Sequence, residues 1–345
     1  MQSSKRILHT QPNPTTILDP LETPPQALKE LFKSWRPQSD SLEQRNRTVF
    51  KYCLESELVS EISPTCLQAA LHEFCHENGD LSLIDAKHGK IYGDPDIPGL
   101  IVAPSLFTPA VQRELLSRLL HRDLSNPKHK TNLHLHYDIS YPPDNNSFFS
   151  DRPSNVRFTA KNGNTTQSLD CGKALQRKLR WITLGGQYDW TNKKYPAEAP
   201  PEFPPDIARL IGSLFPAVTP QAAIINVYSP GDTLCLHRDV SEEVYRGLVS
   251  VSLGCDAYFI IGLHDNETGK TKSKVLLLHS GDVLFMTGES RLAWHGVPQI
   301  IEGTCPSYLE EWPGEECPWW RGWMKNKRIN LNIRQMHDDH PIKRS

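Results

Sequence analysis

The chain has 345 residues, of which 38% are hydrophobic and 23% charged, and its formal net charge is −2. This composition is typical of a soluble globular protein and excludes a globally basic, histone-like one, although it is compatible with a local basic groove. Because no apolar run reaches the ~18–20 residues that span a bilayer, we expect no membrane-spanning segment and no membrane partner.

Cysteine usage and the N-terminal residues bear on the compartment. The eight cysteines form no C-x-x-C pair, and their spacing fits neither a zinc ribbon nor a disulfide scaffold, so we expect reduced thiols. The first nine residues contain no apolar signal-peptide core, so we expect a chain that is not secreted. Residues 1–30 hold only three basic residues, a poor transit peptide. We therefore expect the nucleus or the cytoplasm, with the mitochondrion left open.

We predict an accessory extension at residues 1–95, partly helical or disordered. Within it, one stretch bounded by prolines repeats apolar residues at helical spacing: Leu28, Leu31, Phe32 and Trp35. This pattern predicts a docking helix of about three turns. A second helix is predicted from Pro64 to Glu77, with Ser63 as its N-cap.

The middle of the chain changes character at Gly99. Gly99–Ala103 is predicted to be a strand, and a helix with a regular apolar face is predicted to open at Thr108. Residues 123–172 are polar and contain helix and strand breakers, so we expect a long loop region. A strand at Leu179–Leu184 and a helix at Pro204–Leu214 are predicted to follow.

The most regular region is predicted at 222–336, as the core of a domain at 96–336 that precedes a polar tail at 337–345. Short strands separated by turn signals are predicted at Ala223–Tyr228, Leu234–Asp239, Leu248–Leu253, Ala257–Leu263, Lys274–Leu278, Val283–Met286 and Arg328–Arg334. Strands at this spacing, with no helices between them, favour an all-β sandwich, jelly roll or barrel.

A candidate metal site begins with His237 and Asp239, two residues apart on a predicted strand. Their side chains share one face, about 7 Å apart at the backbone, and could hold a metal from one side. The two-histidine, one-carboxylate iron site needs a further histidine, and the downstream candidates are His264, His279 and His295. We favour His295 because two more strands precede it, as a wrapped barrel requires to return the chain to the first ligand.

The last predicted strand alternates strictly between apolar and polar residues. Its polar face carries Arg328, Asn330, Asn332 and Arg334. Either this face is solvated, or it points into a cavity where two guanidinium groups bind a small dianion. Asn226 and Tyr228 share one face of an earlier strand and would add amide and phenol donors.

Four blocks, taken in order and register, resemble the AlkB family of iron(II)/2-oxoglutarate dioxygenases over about residues 96–336. They are Asn226-Val-Tyr228-Ser-Pro-Gly, His237-Arg-Asp239, Gly288-Glu-Ser-Arg-Leu-Ala-Trp-His295-Gly and Arg328-Ile-Asn330-Leu-Asn-Ile-Arg334-Gln. The segment from Leu179 through Tyr195, and Val240-Ser241-Glu242, resemble the eukaryotic AlkB homologue 1 branch. The resemblance implies a mainly β fold with flanking helices (α+β), a double-stranded β-helix or jelly roll.

Site residues follow from this resemblance. It implies three iron ligands: His237, Asp239 and His295. It implies contacts to 2-oxoglutarate from Asn226, Tyr228, Arg328, Asn330 and Arg334. Fe(2+) is then the cofactor, with 2-oxoglutarate and O2 as cosubstrates. Tyr188, Trp190 and Ser241 are candidate substrate residues; Ser241 stands where bacterial members carry an acidic residue, so their alkylated-base preference does not transfer.

The implied activity is that of an oxidoreductase, a nucleic acid N-demethylase that releases an N-methyl group as formaldehyde. We expect a methylated nucleic acid as partner, with the base flipped into the site. N-methyladenine (N6- or N1-methyl) in RNA (mRNA or tRNA) ranks first and N6-methyladenine in DNA second. The alternatives are a protein (histone) demethylase or hydroxylase using the same site, and a non-catalytic nucleic-acid-binding module. The sequence leaves the oligomeric state open, and a monomer is compatible with it.

A tryptophan-rich insert at 303–327 separates His295 from the last strand and is longer than in bacterial family members. It is either a packing flap or, through the basic and indole side chains of Trp319–Lys327, a nucleic-acid surface. The basic stretch Lys173–Arg180 is either a solvated helix face or an opposite wall of that surface.

Overall fold

The computed structural model of the chain describes residues 18–37, 57–75, 89–150, 152–161 and 168–338. Much of the predicted N-terminal extension, the last two residues of its second helix and most of the predicted C-terminal tail lie outside these ranges. The division into extension, domain and tail stays a prediction.

The helices in the described ranges are short, and all the α-helices but one precede residue 222 in the sequence. The α-helices are α1 (Gln26–Ser34), α2 (Pro64–Cys75), α3 (Pro109–Ser117), α4 (Cys171–Lys173), α5 (Pro205–Leu214) and α6 (Ser307–Glu310). One π-helical turn continues α3 (Arg118–Asp123) and another continues α4 (Ala174–Lys178), and 3-10 turns span Asn132–Leu135, Pro143–Asn145 and Gly288–Leu292. The Thr108 hydroxyl caps α3 by accepting from the backbone N–H of Val111, as its position before a proline predicts.

Antiparallel strands make up the rest of the regular structure. They are β1 (Glu57–Glu61), β2 (Lys90–Gly93), β3 (Leu100–Ala103), β4 (Tyr137–Ile139), β5 (Arg157–Ala160), β6 (Leu169–Asp170), β7 (Trp181–Gly185), β8 (Ala222–Tyr228), β9 (Leu234–His237), β10 (Leu248–Gly254), β11 (Ala257–His264), β12 (Thr271–Leu278), β13 (Val283–Met286), β14 (Trp294–Ile300) and β15 (Arg328–Arg334). The larger sheet has the order β1-β2-β3-β13-β10-β15-β8-β7 and the smaller one β12-β11-β14-β9. Strands β1 and β2, from the predicted extension, therefore lengthen the larger sheet.

The alternation along β15 separates a core face from a site face. Ile329, Leu331 and Ile333 are fully buried in one core with the apolar faces of α3 and α5. On the other face, Arg328 is 1%, Asn330 7% and Arg334 4% exposed. The interpretation of this face as solvated is therefore wrong, because these charged and polar groups lie inside the fold. The mainly β architecture with flanking helices is confirmed.

Helix α1 packs on the smaller sheet, as its apolar stripe predicts. Leu28, Phe32 and Trp35 are at most 7% exposed, and Leu31 is only partly buried. The sheet contributes Leu236, Tyr258, Ile260, Val275 and Trp294 to this cluster. The close approach of α1 to the sheet requires a glycine at position 262, because a Cβ there would lie 2.6 Å from Leu28 Cδ2.

One sequence expectation is wrong, and one strand was missed. Residues 123–172 are not simply a loop: they contain the three-stranded sheet β4-β5-β6, whose strands of two to four residues are too short to show alternation. The strand β14, which carries His295, was not predicted. No helix within the described ranges is long and apolar enough to cross a bilayer.

Candidate active site

The three predicted metal ligands converge where two strands of the smaller sheet pair. His237 ends β9 and lies directly opposite His295 of β14, while Asp239 follows β9 by two residues. One ligand atom from each lies within 4.8 Å of the other two. His237 Nε2 is 3.7 Å from Asp239 Oδ1, and His295 Nε2 is 4.0 Å from Oδ2. The fold therefore places two imidazoles and a carboxylate around one point.

Backbone carbonyls fix the tautomer of both imidazoles. His237 Nδ1 donates to the Cys235 carbonyl at 2.9 Å, and His295 Nδ1 donates to the Ala293 carbonyl at 3.0 Å. Each Nε2 therefore carries a lone pair directed at the shared point, the arrangement typical of metal-bound histidines. Two such nitrogens and one carboxylate fit an octahedral ferrous ion with open positions.

Electrostatics hold the ligands in the form that binds a cation. Burial disfavours the Asp239 anion, but the Arg334 guanidinium, with the other groups around it, outweighs burial, so the pKa of this carboxyl lies well below its usual range. Arg334 Nη2 donates to Asp239 Oδ2 at 2.5 Å. Burial, with the neighbouring His237, lowers the pKa of His295 to about 4. At neutral pH the site offers a carboxylate and a neutral His295, as metal binding requires.

A buried ion pair anchors the segment that carries Asp239. Arg291 is fully buried; its Nη2 donates to Glu242 Oε2 at 2.9 Å and its Nη1 to the Asp239 carbonyl at 2.5 Å. Glu242 also accepts from the Tyr195 hydroxyl at 3.2 Å and lies 3.5 Å from Arg334 Nε. Sequence reasoning assigned no role to Arg291 or Glu242, although both lie in blocks that carry the family resemblance.

A second polar region lies along β8 and β15, away from the metal ligands. Arg328 pairs in register with Tyr228, and Asn330 with Asn226. Arg328 Nη2 donates to Ser252 Oγ at 2.8 Å, but no carboxylate within the described ranges forms an ion pair with this guanidinium. Arg328 Nε and the Tyr228 hydroxyl are buried without a hydrogen-bond partner. Because such groups are costly to bury unpaired, they fit a bound carboxylate.

The two predicted arginines do not lie side by side. They are six positions apart on an extended strand, about 20 Å at the backbone, and Arg334 contacts the metal ligand Asp239. Asn330, between them, donates to Ser250 Oγ at 2.9 Å and to the Val251 carbonyl at 3.0 Å. The guanidiniums therefore belong to opposite ends of the site.

A cavity of about 240 Å³ opens beside the metal ligands. Its lining includes His237, Asp239 and all three predicted substrate residues: Tyr188, Trp190 and Ser241. The Tyr188 hydroxyl lies 3.2 Å from Ser241 Oγ, and the Tyr188 and Trp190 rings meet edge to face at 5.0 Å. Trp190 Nε1 is buried without a partner. The structure thus brings these three residues together next to the metal ligands.

Other sequence candidates lie elsewhere. His264 hydrogen-bonds to Thr271 at 2.8 Å, and His279 pairs with Asp256 at 2.9 Å, so neither joins the metal ligands. In the insert, three tryptophans are buried around Phe149: Trp312, Trp320 and Trp323. Only Trp319 among the insert's indoles is exposed, at 54%. The packing interpretation of the insert is confirmed for most of its aromatic residues.

Comparison with known proteins agrees with this geometry. Residues 99–334 match the 2OG-Fe(II) oxygenase superfamily. "N6-methyladenosine RNA demethylase ALKB1" of Pyricularia oryzae is 50% identical over 73% of this chain and 78% of that protein. "N6-methyladenosine RNA demethylase ALKBH" of Cryphonectria parasitica is 51% identical over 60% of this chain and all of that protein. "tRNA demethylase abh1" of Schizosaccharomyces pombe is 37% identical over 72% of this chain and 82% of that protein. The chain therefore belongs to the 2OG-Fe(II) oxygenase superfamily, as a dioxygenase of the ALKBH1 branch of the AlkB family.

Proposed function

We propose that this chain removes N-methyl groups oxidatively from nucleic acid, with N-methyladenine (N6- or N1-methyl) in RNA as its first substrate and N6-methyladenine in DNA as its second. The observation that carries the proposal is the aromatic cavity that shares His237 and Asp239 with the metal ligands. Similar proteins named as demethylases of N6-methyladenosine in RNA and of tRNA support it.

Iron(II) would be held by His237, Asp239 and His295, which present the two nitrogens and the carboxylate that it prefers. With 2-oxoglutarate and O2, bound iron supplies the oxidising power that hydroxylates a methyl group, which then leaves as formaldehyde. The protein's own part is to keep Asp239 ionised through Arg334 and to hold both imidazoles through backbone carbonyls.

The buried donors on β8 and β15 would bind 2-oxoglutarate. Arg328 Nε and the Tyr228 hydroxyl, unpaired in the fold, are matched to its distal carboxylate. Asn226 and Asn330 lie between this end and the metal ligands in the strand register. Arg334, beside Asp239, would contact the end nearer the iron.

The cavity wall would orient the base. A nucleobase that leaves its stack needs a surface to replace the lost stacking, and the rings of Tyr188 and Trp190 offer one. The hydroxyls of Ser241 and Tyr188 and the unpaired Trp190 Nε1 are neutral hydrogen-bonding groups at this wall. A neutral wall suits adenine, whose edge carries both donors and acceptors.

A substrate comparison tests this proposal. Purified chain with Fe(II) and 2-oxoglutarate is given four matched substrates: RNA with N6-methyladenine, RNA with N1-methyladenine, DNA with N6-methyladenine, and a methyl-lysine histone peptide. We expect loss of methylated adenosine by mass spectrometry, with stoichiometric formaldehyde, and no turnover by the Asp239→Ala variant. Turnover of the peptide alone would overturn the proposal in favour of a protein demethylase.

We further propose that the protein works as a monomer in the nucleus or cytoplasm. No disulfide bond joins the cysteines within the described ranges, which suits a reducing compartment. Light scattering of the purified chain tests the monomer, and imaging of a tagged full-length chain tests the compartment. A dimer, or localisation confined to the mitochondrion, would contradict these proposals.

A further inference from the structure

A tight turn closes one side of the cavity between Asp189 and Lys194. These two residues exchange backbone hydrogen bonds of 2.9 and 3.4 Å. The Asp189 carboxylate accepts from the backbone N–H groups of Thr191 and Asn192 at 2.8 and 3.1 Å. Inside the turn, Lys193 has a φ of +54°, a left-handed conformation that is uncommon for a residue with a Cβ. The turn therefore holds Lys193 in an unfavourable backbone conformation that its neighbours stabilise.

The turn is bonded directly to the wall of the substrate cavity. Ser241 Oγ donates to the Lys193 carbonyl at 3.0 Å, and the same oxygen contacts the Tyr188 hydroxyl. Lys193 itself lines the cavity together with His237 and Asp239. Backbone strain of this kind is typical of functional sites, where the surrounding structure fixes a side chain in place.

Lys193 places a positive charge beside the aromatic side of the cavity. It is half-buried, whereas its neighbours Asn192 and Lys194 are exposed, so it stands at the rim. No carboxylate within the described part of the chain forms an ion pair with its ammonium group. The aromatic side chains next to it, Tyr188 and Trp190, are neutral. The other arginine and carboxylate side chains that line the cavity form ion pairs within the fold, so Lys193, which has no such pair among the described residues, is the lining cation that can bind an anion at the rim.

We infer that Lys193 binds a backbone phosphate next to the flipped nucleotide. This inference rests on the proposed function, because it requires a nucleic acid substrate. Flipping rotates the base into the cavity and leaves the phosphodiester chain at the rim. The phosphate is the negatively charged group of such a substrate, and phosphate contacts fix its register. Lys193 is thus a positioning residue that places the methyl group beside the metal ligands.

Two substitutions separate the charge of Lys193 from its backbone conformation. Lys193→Gln removes the charge and keeps a Cβ. Lys193→Gly also removes the charge but accepts the positive φ without strain, so it should melt no lower than the wild type. Lys194→Gln is the matched control, because Lys194 is the adjacent, exposed lysine and does not line the cavity. Lys193→Arg tests rescue, since it restores a cation.

Binding of single-stranded oligonucleotides carrying N6-methyladenine is measured by fluorescence anisotropy between 50 and about 200 mM KCl, with RNA and DNA arms. For Lys193→Gln and Lys193→Gly we expect about tenfold weaker binding at low salt and a salt slope reduced by about 0.7 in both arms. The KM for the oligonucleotide should rise much more than kcat falls. Lys194→Gln should match the wild type, and Lys193→Arg should regain most of the slope.

The experiment distinguishes failure of the Lys193 inference from failure of the proposed function. If the wild type binds and demethylates oligonucleotides but both uncharged variants keep its salt slope, the inference is overturned and the proposed function stands. A loss confined to the RNA arm would overturn it as well, because a phosphate contact is common to RNA and DNA. A wild type that binds neither nucleic acid overturns the proposed function and, with it, this inference.

Discussion

Replacing Arg328 by methionine tests the 2-oxoglutarate end of the site. Arg328 is 1% exposed and donates to Ser252 Oγ, but its Nε is unpaired. In the protein without bound ligand it is therefore a buried cation with no ion pair among the described residues, and burial lowers its pKa although Asp256 and Asp282 act against that shift. Arg328→Met keeps most of the side-chain volume and removes that charge. We expect the ligand-free variant to melt at the same temperature as the wild type or higher.

The effect on 2-oxoglutarate should be large. A hydrogen bond to a charged group contributes about 1.5–3 kcal/mol, so the Kd and KM for 2-oxoglutarate should rise by about 10- to 150-fold. At a 2-oxoglutarate concentration of 100 times the wild-type Kd, ligand binding stabilises the wild type by about 2.7 kcal/mol. A variant with 100-fold weaker binding would gain only about 0.4 kcal/mol under the same conditions. Succinate formation gives the KM, and thermal unfolding with and without ligand gives the stabilisation.

The control is Arg209→Met, which removes an exposed arginine whose surface ion pair with Glu73 contributes little. It should leave both readouts unchanged. An Arg328→Met variant with the wild-type KM would refute the assignment of this guanidinium to 2-oxoglutarate. A variant that melts several degrees lower without ligand would refute the argument that the desolvation of Arg328 is only partly offset in the fold.

Further substitutions probe the rest of the site. Asp239→Ala should abolish iron-dependent turnover and leave the circular dichroism spectrum unchanged, because it removes little buried apolar area. Arg334→Ala should weaken both iron and 2-oxoglutarate binding, the latter by about 1.5–3 kcal/mol, in titration calorimetry. Arg291→Met removes the charged hydrogen bond to Glu242, which keeps Tyr195 and Arg334 nearby, and should lower the free energy of unfolding in urea by about 1.5–3 kcal/mol. Burial lowers the pKa of Lys327 to about 8, below its value in the unfolded chain, so the unfolded state binds more protons above pH 8. Stability should therefore rise between pH 8 and about 9.5 in urea melts, and Lys327→Met should remove that rise.

The sequence was most informative where one local pattern determined two faces. Strict alternation in β15 predicted both the buried Ile329, Leu331 and Ile333 and a polar face opposite them. Local pattern also placed His237 and Asp239 on one side of the chain. The choice of His295 over the other histidines depended on topology, and the strand pairing with His237 confirms its position.

The strand β14 was missed for a structural reason. Its sequence contains Gly296 and Pro298, which are typical of turns and edges of sheets. A Cβ at Gly296 would lie 2.8 Å from the Leu234 carbonyl oxygen, so the close approach of β9 requires glycine there. The pairing of β14 with both neighbours is irregular around Val297, which accommodates the proline. Gly296 and Pro298 thus make the segment unlike a strand in sequence, and the same two residues are accommodated where it pairs with its neighbours in the sheet.

The anchoring pair was not predictable from local sequence either. Arg291 and Glu242 are 49 positions apart, and each is of a type that is mostly exposed. Only the three-dimensional fold brings them together in a fully buried contact. The same holds for Lys193, whose positive φ and contact with Ser241 depend on the closure of a turn against a distant segment.

One short segment connects the metal ligands to the substrate wall. Residues 237–242 carry two metal ligands, the wall residue Ser241 and the anchor Glu242. Arg291 donates to the Asp239 carbonyl and to the Glu242 carboxylate, and it thereby anchors residues 239–242. A change in the anchor must therefore move the metal carboxylate and the substrate wall together. Variants of Arg291 that still fold should lose iron affinity and substrate affinity in parallel. Variants of Tyr188 or Trp190 should lose substrate affinity and keep iron affinity.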